Sequence, residues 1–331
     1  MKVVESYLGT TKMRCWDVDR NFAEASRPSP MSDEDLADLT QPQRDRLAFI
    51  ELRVRFIGEI RRQDLVSRFG VQSAAASRDL ALYKDLAPNN IDYDPKGKSY
   101  VIGSDFRATF DFPAERVLSW LSQAFGDGEP TKIKPWIICD IPSRLSQPDL
   151  TTLAAVTRAI HQERPLKIVY HSVTSGETKR EVVPFALIDN GLRWHARAFD
   201  RRTSEFRDFV LTRIQRPQVL ANSEVIAHER SDQDIQWTRI VELELVPHPD
   251  QPRPEITEMD YRMDGGALRL KLRAATAGYI LRQWSVDCSA DHRLRGPEFR
   301  LWLKDHLALY GVKNAVLAPG YSSELAAEAT D

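Results

Sequence analysis

The sequence predicts a multi-domain α+β chain, and three observations support that prediction. Residues 42–86 carry apolar side chains at helical spacing, interrupted by glycines. The run from Arg164 to Ile214 alternates short apolar and β-branched stretches with turn residues, which is typical of a small antiparallel sheet. The last third of the chain mixes one well-alternating strand pattern with helical patterns, which predicts a further α+β part.

Length and composition agree with a globular protein of two or three domains. The chain has 331 residues, of which 42% are apolar and 28% are charged. No apolar run reaches the roughly 18–20 residues that cross a bilayer, and the N-terminus lacks the apolar core of a secretory signal. Three dispersed cysteines suit a reducing compartment, so we expect a cytoplasmic protein.

The N-terminal region begins with an extension. Residues 1–30 show no sustained periodicity and end in a Ser-Arg-Pro-Ser-Pro run, so we do not assign them an element. Ser32 then precedes three acidic residues, which is N-cap chemistry followed by a negatively charged first turn. This pattern predicts a short helix that runs to Leu39.

Three helical patterns follow the extension. A mostly buried helix begins at Pro42 and is ended by Gly58, a second helix over 61–69 is ended by Gly70, and a third begins at Gln72. A helix, a tight glycine turn and another helix form a helix-turn-helix. Residues 90–102 then predict a hairpin, which would be the wing beside that motif.

The front of the third helix favours contact with nucleic acid. Its first residues are small, so the helix N-terminus, which attracts phosphate, can approach a DNA backbone or base edges closely. Arg78 and Lys84 add positive charge, and residues 42–100 hold eleven lysines and arginines against eight acidic residues. A helix–glycine–helix pair alone is more often simple packing. The wing and the tetrapeptide Ser77-Arg78-Asp79-Leu80 shift the interpretation to DNA binding.

The tetrapeptide resembles the end of the recognition helix in DeoR-type winged helices. That resemblance implies that Arg78 contacts the phosphate backbone or a base edge, whereas Asp79 is structural. Phosphate contacts are predicted for Arg61, Arg62, Arg78, Lys84, Lys96 and Lys98. Contacts to bases are predicted for Gln72, Ser73, Ala75 and Ser77.

A connecting region leads to the central sheet. Residues 113–125 predict a helix, and 136–138 a short strand in an otherwise proline-rich stretch. A further helix over 148–162, capped by Asp149 or Thr151, precedes the sheet.

The central sheet carries an unusual number of basic residues. Strands are predicted over 166–170, 181–187, 192–199 and 206–214, with glycine-containing turns between them. The run from Arg164 to Ile214 holds ten lysines and arginines against six acidic residues. Arginine binds carboxylate or phosphate with two parallel hydrogen bonds, so the sheet either forms an anion site or is a solvated face with Arg–Asp pairs. The candidate ligand-binding residues are Tyr170, Ser172, Trp194, His195, Arg197 and Arg207.

The C-terminal part predicts an α+β sandwich. A strand is predicted over 238–246, a proline-rich loop over 248–254 and a hairpin over 261–273. Helices are predicted over 276–286 and 298–310.

Motifs for enzyme chemistry are not found in the sequence. No GxGxxG, P-loop, GxSxG or HExxH pattern occurs, and no Cys/His spacing resembles a zinc site. The nearest cluster, Asp287 with Asp291 and His292, fits a satisfied surface turn better than a metal or acid–base site. We therefore expect no catalytic residue, metal or cofactor.

The central run resembles the WYL domain, an Sm-like β-barrel found in bacterial transcription regulators. The matching elements are Tyr170, Arg180-x-x-x-Pro184, Gly191-x-x-Trp194-His195-Ala196 and Phe206-Arg207-x-Phe209-x-x-x-Arg213-Ile214. Of the Trp-Tyr-Leu triplet that names the domain, Trp194 keeps its identity, and His195 and Ala196 take the other two places.

The order of the parts resembles the BrxR/CapW-type regulators, which repress bacterial phage-defence operons. By that resemblance the segments are an N-terminal extension over 1–30, a winged helix-turn-helix domain over 31–105, a connector over 106–148, a WYL domain over 149–220 and a dimerising C-terminal extension over 221–331.

The resemblance implies a homodimeric repressor that binds a palindromic operator in double-stranded DNA. A small anionic, nucleotide or nucleic-acid effector in the WYL domain would control DNA affinity. Two alternatives remain open from the sequence: a WYL-type activator that responds to a nucleic-acid signal, and a nucleic-acid-processing enzyme that uses the basic β-module.

Overall fold

The protein is described by a computed structural model. The described residues are 39–123, 136–142 and 145–322. The extension over 1–30 and all but the last residue of the helix predicted before Leu39 lie outside them. The described residues fall into two compact units, 39–142 and 145–322, and each is considered by itself.

The first unit is a winged helix-turn-helix. Its elements are α1 (Gln41–Ile57), β1 (Glu59–Ile60), α2 (Arg62–Phe69), α3 (Ser73–Leu86), β2 (Ile91–Asp94), β3 (Ser99–Ile102) and α4 (Ala114–Gln123). The predicted helices and the wing hairpin are confirmed. Strand β1, which is too short to leave a sequence pattern, pairs with β3 and completes a three-stranded sheet in the order β1-β3-β2.

Two glycines end the first two helices as predicted. Gly58 and Gly70 have φ of +89° and +64°, in the left-handed region, and each donates its N–H to the helix carbonyl four residues before it. The core between the helices is built from aliphatic side chains of α1, β1, α2, α3 and β2 and from the rings of Phe49 and Tyr83. Trp136 packs edge-to-face on Phe49 at 5.9 Å. The strand predicted over 136–138 is wrong, because these residues are irregular and the Trp136 ring serves the core instead.

A fully buried carboxylate joins three parts of this unit. Glu51 of α1 accepts hydrogen bonds from the hydroxyl of Tyr83 at 2.9 Å and from the backbone N–H groups of Thr109 and Phe110, both at 2.9 Å. Burial raises the pKa of Glu51, and these hydrogen bonds offset part of that rise. The chain after the wing is thereby tied to α1 and α3.

The second unit begins with a helix and a five-stranded antiparallel sheet. Its first elements are α5 (Leu150–His161), β4 (Leu166–Ser172), β5 (Gly176–Asp189), β6 (Trp194–Asp200), β7 (Glu205–Val210) and β8 (Ile214–Val219). Asp149 caps α5 by accepting the N–H of Thr152 at 2.8 Å, and Ala155, Val156 and Ala159 pack on the sheet. The strand order is β7-β6-β5-β4-β8.

The last predicted strand of this sheet is wrong in its extent. A 3-10 turn over Leu211–Arg213 divides the predicted strand 206–214, and β8 then pairs with β4. Pro217 conceals β8 in the sequence, but an edge strand tolerates a residue that has no N–H to donate. Strands β7 and β8 are the two ends of the strand order and do not pair with each other among the described residues. The Sm-like barrel therefore remains a prediction.

The C-terminal part of the unit is a three-stranded sheet with helices. Its elements are α6 (Ile235–Thr238), β9 (Ile240–Pro247), α7 (Pro254–Tyr261), β10 (Leu268–Arg273), α8 (Ala274–Gln283) and β11 (Leu301–Leu303). The strands are antiparallel in the order β10-β9-β11, and α8 packs Ala274, Ala277, Ile280 and Leu281 against them.

Two predictions in this part are wrong. The predicted hairpin 261–273 has only its second strand: Pro254 opens α7 at its first position, and a turn from Asp264 to Ala267 leads into β10, which pairs with β9. The predicted helix 298–310 is β11 followed by a 3-10 helix. Leu301 and Leu303 are buried with Trp302 between them, a period of two that the helical pattern concealed.

The surface turn predicted for Asp287, Asp291 and His292 is wrong for Asp287, which is fully buried, whereas Asp291 is exposed in a turn. The Asp287 carboxylate accepts hydrogen bonds from Ser289 and from the N–H of Leu294. His248 accepts the N–H of Asp250 at Nδ1, so its Nε2 carries the proton that it donates to Asp287 at 3.2 Å. No group of three metal-binding side chains occurs among the described residues.

Candidate DNA interface and sensor region

One face of α3 is exposed and the opposite face is part of the core. Gln72, which precedes α3, and Ser73 and Arg78 within it are exposed, whereas Ala76 and Leu80 are buried. Ala75, Ser77 and Lys84 are half-buried. The first two turns of α3 therefore present small and polar side chains together with one exposed guanidinium.

Asp79 fixes the orientation of this helix. Its carboxylate, 4% exposed, accepts two hydrogen bonds from the guanidinium of Arg46 on α1, at 2.6 and 3.2 Å. Asp79 is therefore structural, as the resemblance of the tetrapeptide implies. The neighbouring Arg78 points to solvent because successive helical positions lie on different faces.

The other predicted DNA-contacting residues lie at the start of α2 and at the tip of the wing. Arg61, exposed, lies 3.5 Å from Glu59, and Arg62 donates to the hydroxyl of Ser77 at 3.4 Å. Lys96 and Lys98 are exposed in the turn between β2 and β3. Asp94 shapes that turn by accepting the N–H groups of Lys96 and Gly97, each at 2.9 Å.

The predicted ligand residue Arg197 of β6 is buried in an ion-pair network. Its guanidinium donates two hydrogen bonds to Asp234, at 2.8 and 3.1 Å, and one to Asp208 at 3.1 Å. These carboxylates keep the pKa of Arg197 above its ordinary value although burial opposes the charge. Asp234 also caps α6 by accepting the N–H of Gln236. Arg197 thus joins the central sheet to the C-terminal part.

His195 is part of the same junction. Its ring stacks on that of Tyr279 from α8, with centroids 5.4 Å apart, and the hydroxyl of Tyr279 donates to Asp208 at 2.9 Å. Burial lowers the pKa of His195, so the ring is held neutral near neutral pH. Its Nδ1 has no hydrogen-bond partner among the described residues.

The remaining predicted ligand residues are dispersed. Tyr170 is buried against Phe209, and its hydroxyl accepts the N–H of Val210 at 3.3 Å. Ser172 accepts backbone N–H groups in the turn after β4, and Trp194 is half-buried against the sheet core. Arg207 is exposed and paired with Glu205. Among the six, the structure brings His195 and Arg197 together, through Asp208 and Tyr279.

Sequence reasoning missed the partners of that network. Asp208 and Tyr279 lie far apart in the chain, and nothing in the sequence connects them. Asp234 carried a usable signal, because an aspartate three residues before Trp237 is N-cap chemistry for a short helix.

These features define a class: a winged helix-turn-helix regulator with a WYL domain and a C-terminal α+β part. Family models match residues 42–123 as the BrxR transcriptional regulator winged helix-turn-helix domain, 151–219 as the WYL domain and 240–309 as the BrxR transcriptional regulator C-terminal dimerization domain. No helix in the described ranges is long and apolar enough to span a membrane.

The curated relatives narrow the class to one family. The DNA-binding transcriptional repressor CapW of Escherichia coli (strain KTE188) is 30% identical over 82% of this chain and 91% of its own length. CapW of Pseudomonas aeruginosa is 31% identical over 76% of this chain and 86% of its own. The chain belongs to the BrxR/CapW family of WYL-domain transcriptional regulators, whose role is not enzymatic.

A solved structure, Proteasome accessory factor B/C (PafBC) of Arthrobacter aurescens, also matches. Its sequence identity to this chain is 19% and the TM-score is 0.25. The match covers 79% of this chain and 46% of that chain, so this chain spans about half the length of that protein.

Proposed function

We propose that this chain represses transcription of a phage-defence operon by binding an inverted-repeat operator as a homodimer. The observation that supports DNA binding is that α3 has one buried face and one exposed face. Asp79 is paired with Arg46 on the buried side, while Ser73, Ala74 and Arg78 are exposed. The repressor role follows the names of the CapW relatives, and the phage-defence role follows the family resemblance.

Contacts with DNA would divide between phosphates and bases. Arg61, Arg62, Arg78 and Lys84 would position the unit on phosphates, together with the wing lysines, and Gln72, Ser73, Ala75 and Ser77 would face base edges. Phosphate contacts supply affinity that falls with salt, and base contacts supply sequence preference. The half-buried Ala75 and Ser77 permit close approach because their side chains add little bulk.

Dimerisation through the C-terminal part would set the geometry of the operator. A two-fold dimer places two copies of α3 in successive major grooves, so the half-sites would lie about one helical turn, or roughly 34 Å, apart or at a multiple of it. The match of residues 240–309 to a dimerization domain supports this arrangement.

An anionic, nucleotide or nucleic-acid effector bound by the WYL domain would control DNA affinity. Such an effector changes operator binding only by its differential affinity for two states of the dimer. The residues proposed for contact are Tyr170, Ser172, Trp194, His195, Arg197 and Arg207. Because Arg197 and His195 lie against Asp234 and Tyr279, an effector that reached them would act on the junction with the C-terminal part.

A footprinting experiment tests the proposal. The purified full-length protein is titrated against DNA from upstream of its own gene, and we expect a protected inverted repeat with two half-sites. Sedimentation at micromolar concentration should give a dimer. A monomer, or protection without two-fold symmetry, would contradict the proposal. Mapping the site over the promoter, where bound protein would block transcription, distinguishes repression from activation.

A further inference from the structure

A cleft of about 270 Å³ lies within the first unit, lined by α1, by the end of α2 and by the chain that leads into α4. None of the residues predicted above to contact DNA or to bind an effector lines it. Ala48 and Leu52 of α1 contribute aliphatic side chains to its lining. The volume lies just below the roughly 300–1,000 Å³ that drug-sized ligands fill, so the cleft suits a small ligand.

Two pairs of aromatic rings line this cleft from different elements. Phe49 of α1 and Phe69 of α2 pack edge-to-face, with ring centroids 5.4 Å apart. Phe112, which precedes α4, and Trp120 of α4 pack edge-to-face at 5.6 Å. Aromatic rings attract further rings in offset or edge-to-face arrangements at centroid distances of roughly 4.5–7 Å. A planar aromatic ring is therefore the group that these walls accommodate best.

Each aromatic pair also carries a guanidinium. The Cζ atom of Arg116 lies 4.8 Å from the ring centroid of Trp120, and that of Arg68 lies 5.6 Å from the ring centroid of Phe69. Arg116 is exposed and forms no ion pair with a carboxylate in the described ranges. Because the planar fork of arginine binds a carboxylate with two parallel hydrogen bonds, Arg116 can accept a carboxylate from a ligand.

The formal charge of the lining residues favours an anion. Arg68 and Arg116 are opposed by one acidic lining residue, Asp45, so the formal net charge is +1. The Asp45 carboxylate accepts the side-chain N–H of Gln41 at 2.8 Å. A bare phosphate would use the guanidinium groups but not the four rings, whereas an aromatic carboxylate would use both.

Helix α4 has few contacts of its own with the core. Val117 is the only buried residue among residues 114–122, and Leu118 is 64% exposed. A ligand that touched both aromatic pairs would add contacts between α4 and the helices α1 and α2. Binding to the folded state alone stabilises that state, so the ligand would also increase the order of α4.

We infer that this cleft binds a small aromatic carboxylate, with its ring against the two aromatic pairs and its carboxylate on Arg116. The inference goes beyond the proposed function, because it adds a small-molecule site to the winged-helix unit and does not depend on the WYL domain. The ligand would reinforce the attachment of the chain after the wing, where Glu51 already accepts the N–H groups of Thr109 and Phe110.

Titration calorimetry of the full-length protein with phenylacetate tests the inference. We expect a dissociation constant of about 1 mM or lower, as for a small ligand with one ring and one charge. Phenylacetamide keeps the ring without the charge, and cyclohexylacetate keeps the charge without the aromatic ring. Each of these two compounds should bind at least about 5-fold more weakly than phenylacetate.

Arg116→Gln removes the proposed carboxylate contact at an exposed position. It should weaken phenylacetate binding at least about 10-fold, because hydrogen bonds between charged groups are strong. Arg107→Gln is the matched control, since it removes an exposed arginine of the same unit that does not line the cleft. Both variants should keep the Tm of the wild type, which shows that a loss of binding is not a loss of folding.

Hydrogen exchange locates the bound ligand independently of the variants. Phenylacetate should increase protection of the amides of α4 in the wild type and in Arg107→Gln, but not in Arg116→Gln. Four results would each overturn the inference: no binding at several millimolar, equal affinity of the two variants, equal affinity for cyclohexylacetate, or protection confined to residues 150–219. None of these measurements contains DNA, so failure of the proposed operator binding would leave their outcome unchanged.

Discussion

The guanidinium of Arg197 donates two hydrogen bonds to the carboxylate of Asp234, at 2.8 and 3.1 Å, with both side chains almost fully buried. This pair joins β6 of the five-stranded sheet to the start of α6, where the C-terminal part begins. Asp208 binds the other side of the guanidinium and also accepts the hydroxyl of Tyr279. The five-stranded sheet is therefore connected by hydrogen bonds to residues 240–309, which match the dimerization domain.

Arg197→Ala should destabilise this junction strongly. Removing one partner of a buried ion pair leaves Asp234 charged and unpaired, which costs about 3–5 kcal/mol. Thermal unfolding should show a lower Tm, and hydrogen exchange should rise first in Ile235–Thr238. Arg207→Ala is the matched control: its pair with Glu205 is exposed, so a loss below about 1 kcal/mol is expected. Equal stability of the two variants would contradict a structural role for Arg197.

Arg78→Ala should weaken binding to operator and to unrelated DNA by similar factors. If Arg78 contacts a phosphate, the slope of log affinity against log salt falls by about 1 and sequence preference is unchanged. Mobility shift over a range of salt concentrations measures both quantities. Arg55→Ala, which removes an exposed arginine of α1 outside the predicted set, should leave the slope unchanged. If Arg78→Ala binds DNA at low salt with unchanged affinity, Arg78 does not contact DNA.

Local sequence signals predicted the first unit well because its determinants are close in the chain. Gly58 and Gly70 end helices through their own φ angles, and the wing depends on a short turn that Asp94 stabilises. The network around Arg197 was not predictable in the same way. Its partners lie 11 and 37 residues away, and an arginine on a strand has the same sequence signature whether it faces a ligand or a buried aspartate.

The errors in the C-terminal part have a related cause. Residues 298–310 contain apolar side chains that satisfy a helical spacing and a strand spacing equally over a few residues. Pairing with β9 selects the strand conformation for this segment. The edge of β9 offers hydrogen bonds to Leu301 and Leu303, and it is more than fifty residues away in the chain. Tertiary pairing overrides local periodicity where the segment is short.

Asp287→Asn should destabilise the C-terminal part on the order of 3 kcal/mol, because the buried carboxylate accepts hydrogen bonds from Ser289, Leu294 and His248. Burial alone would raise the pKa of Asp287, but these hydrogen bonds lower it overall. Stability from this group is thus present above the unfolded pKa of about 3.9 and is lost as pH falls through the folded pKa.

Urea unfolding of wild type and Asp287→Asn at a series of pH values measures this effect. The difference between them should shrink on acidification below the unfolded pKa. Asp291→Asn is the control in the same loop, since Asp291 is exposed. A difference that stays constant with pH would show that the Asp287 charge does not contribute.

Glu51 should give the winged helix the opposite pH dependence. Because burial raises its pKa, the protonated form is favoured in the folded state. Its contribution to stability is fully present below the unfolded pKa of about 4.3 and is lost as pH rises through the folded pKa. Glu51→Gln remains neutral and keeps an acceptor for the N–H groups of Thr109 and Phe110, so its stability relative to wild type should increase as pH rises.

Hydrogen exchange of amides in α1 and α3 localises this Glu51 effect to the winged-helix unit. The protection factor of Glu51→Gln relative to wild type should rise from mildly acidic to neutral pH. Asp85→Asn, at an exposed position of α3, should show no such trend. If Glu51→Gln instead loses protection equally at every pH, the hydrogen-bond geometry around Tyr83 and Phe110 outweighs the cost of the buried charge. The ionised carboxylate would then be the form that holds the chain after the wing to α1.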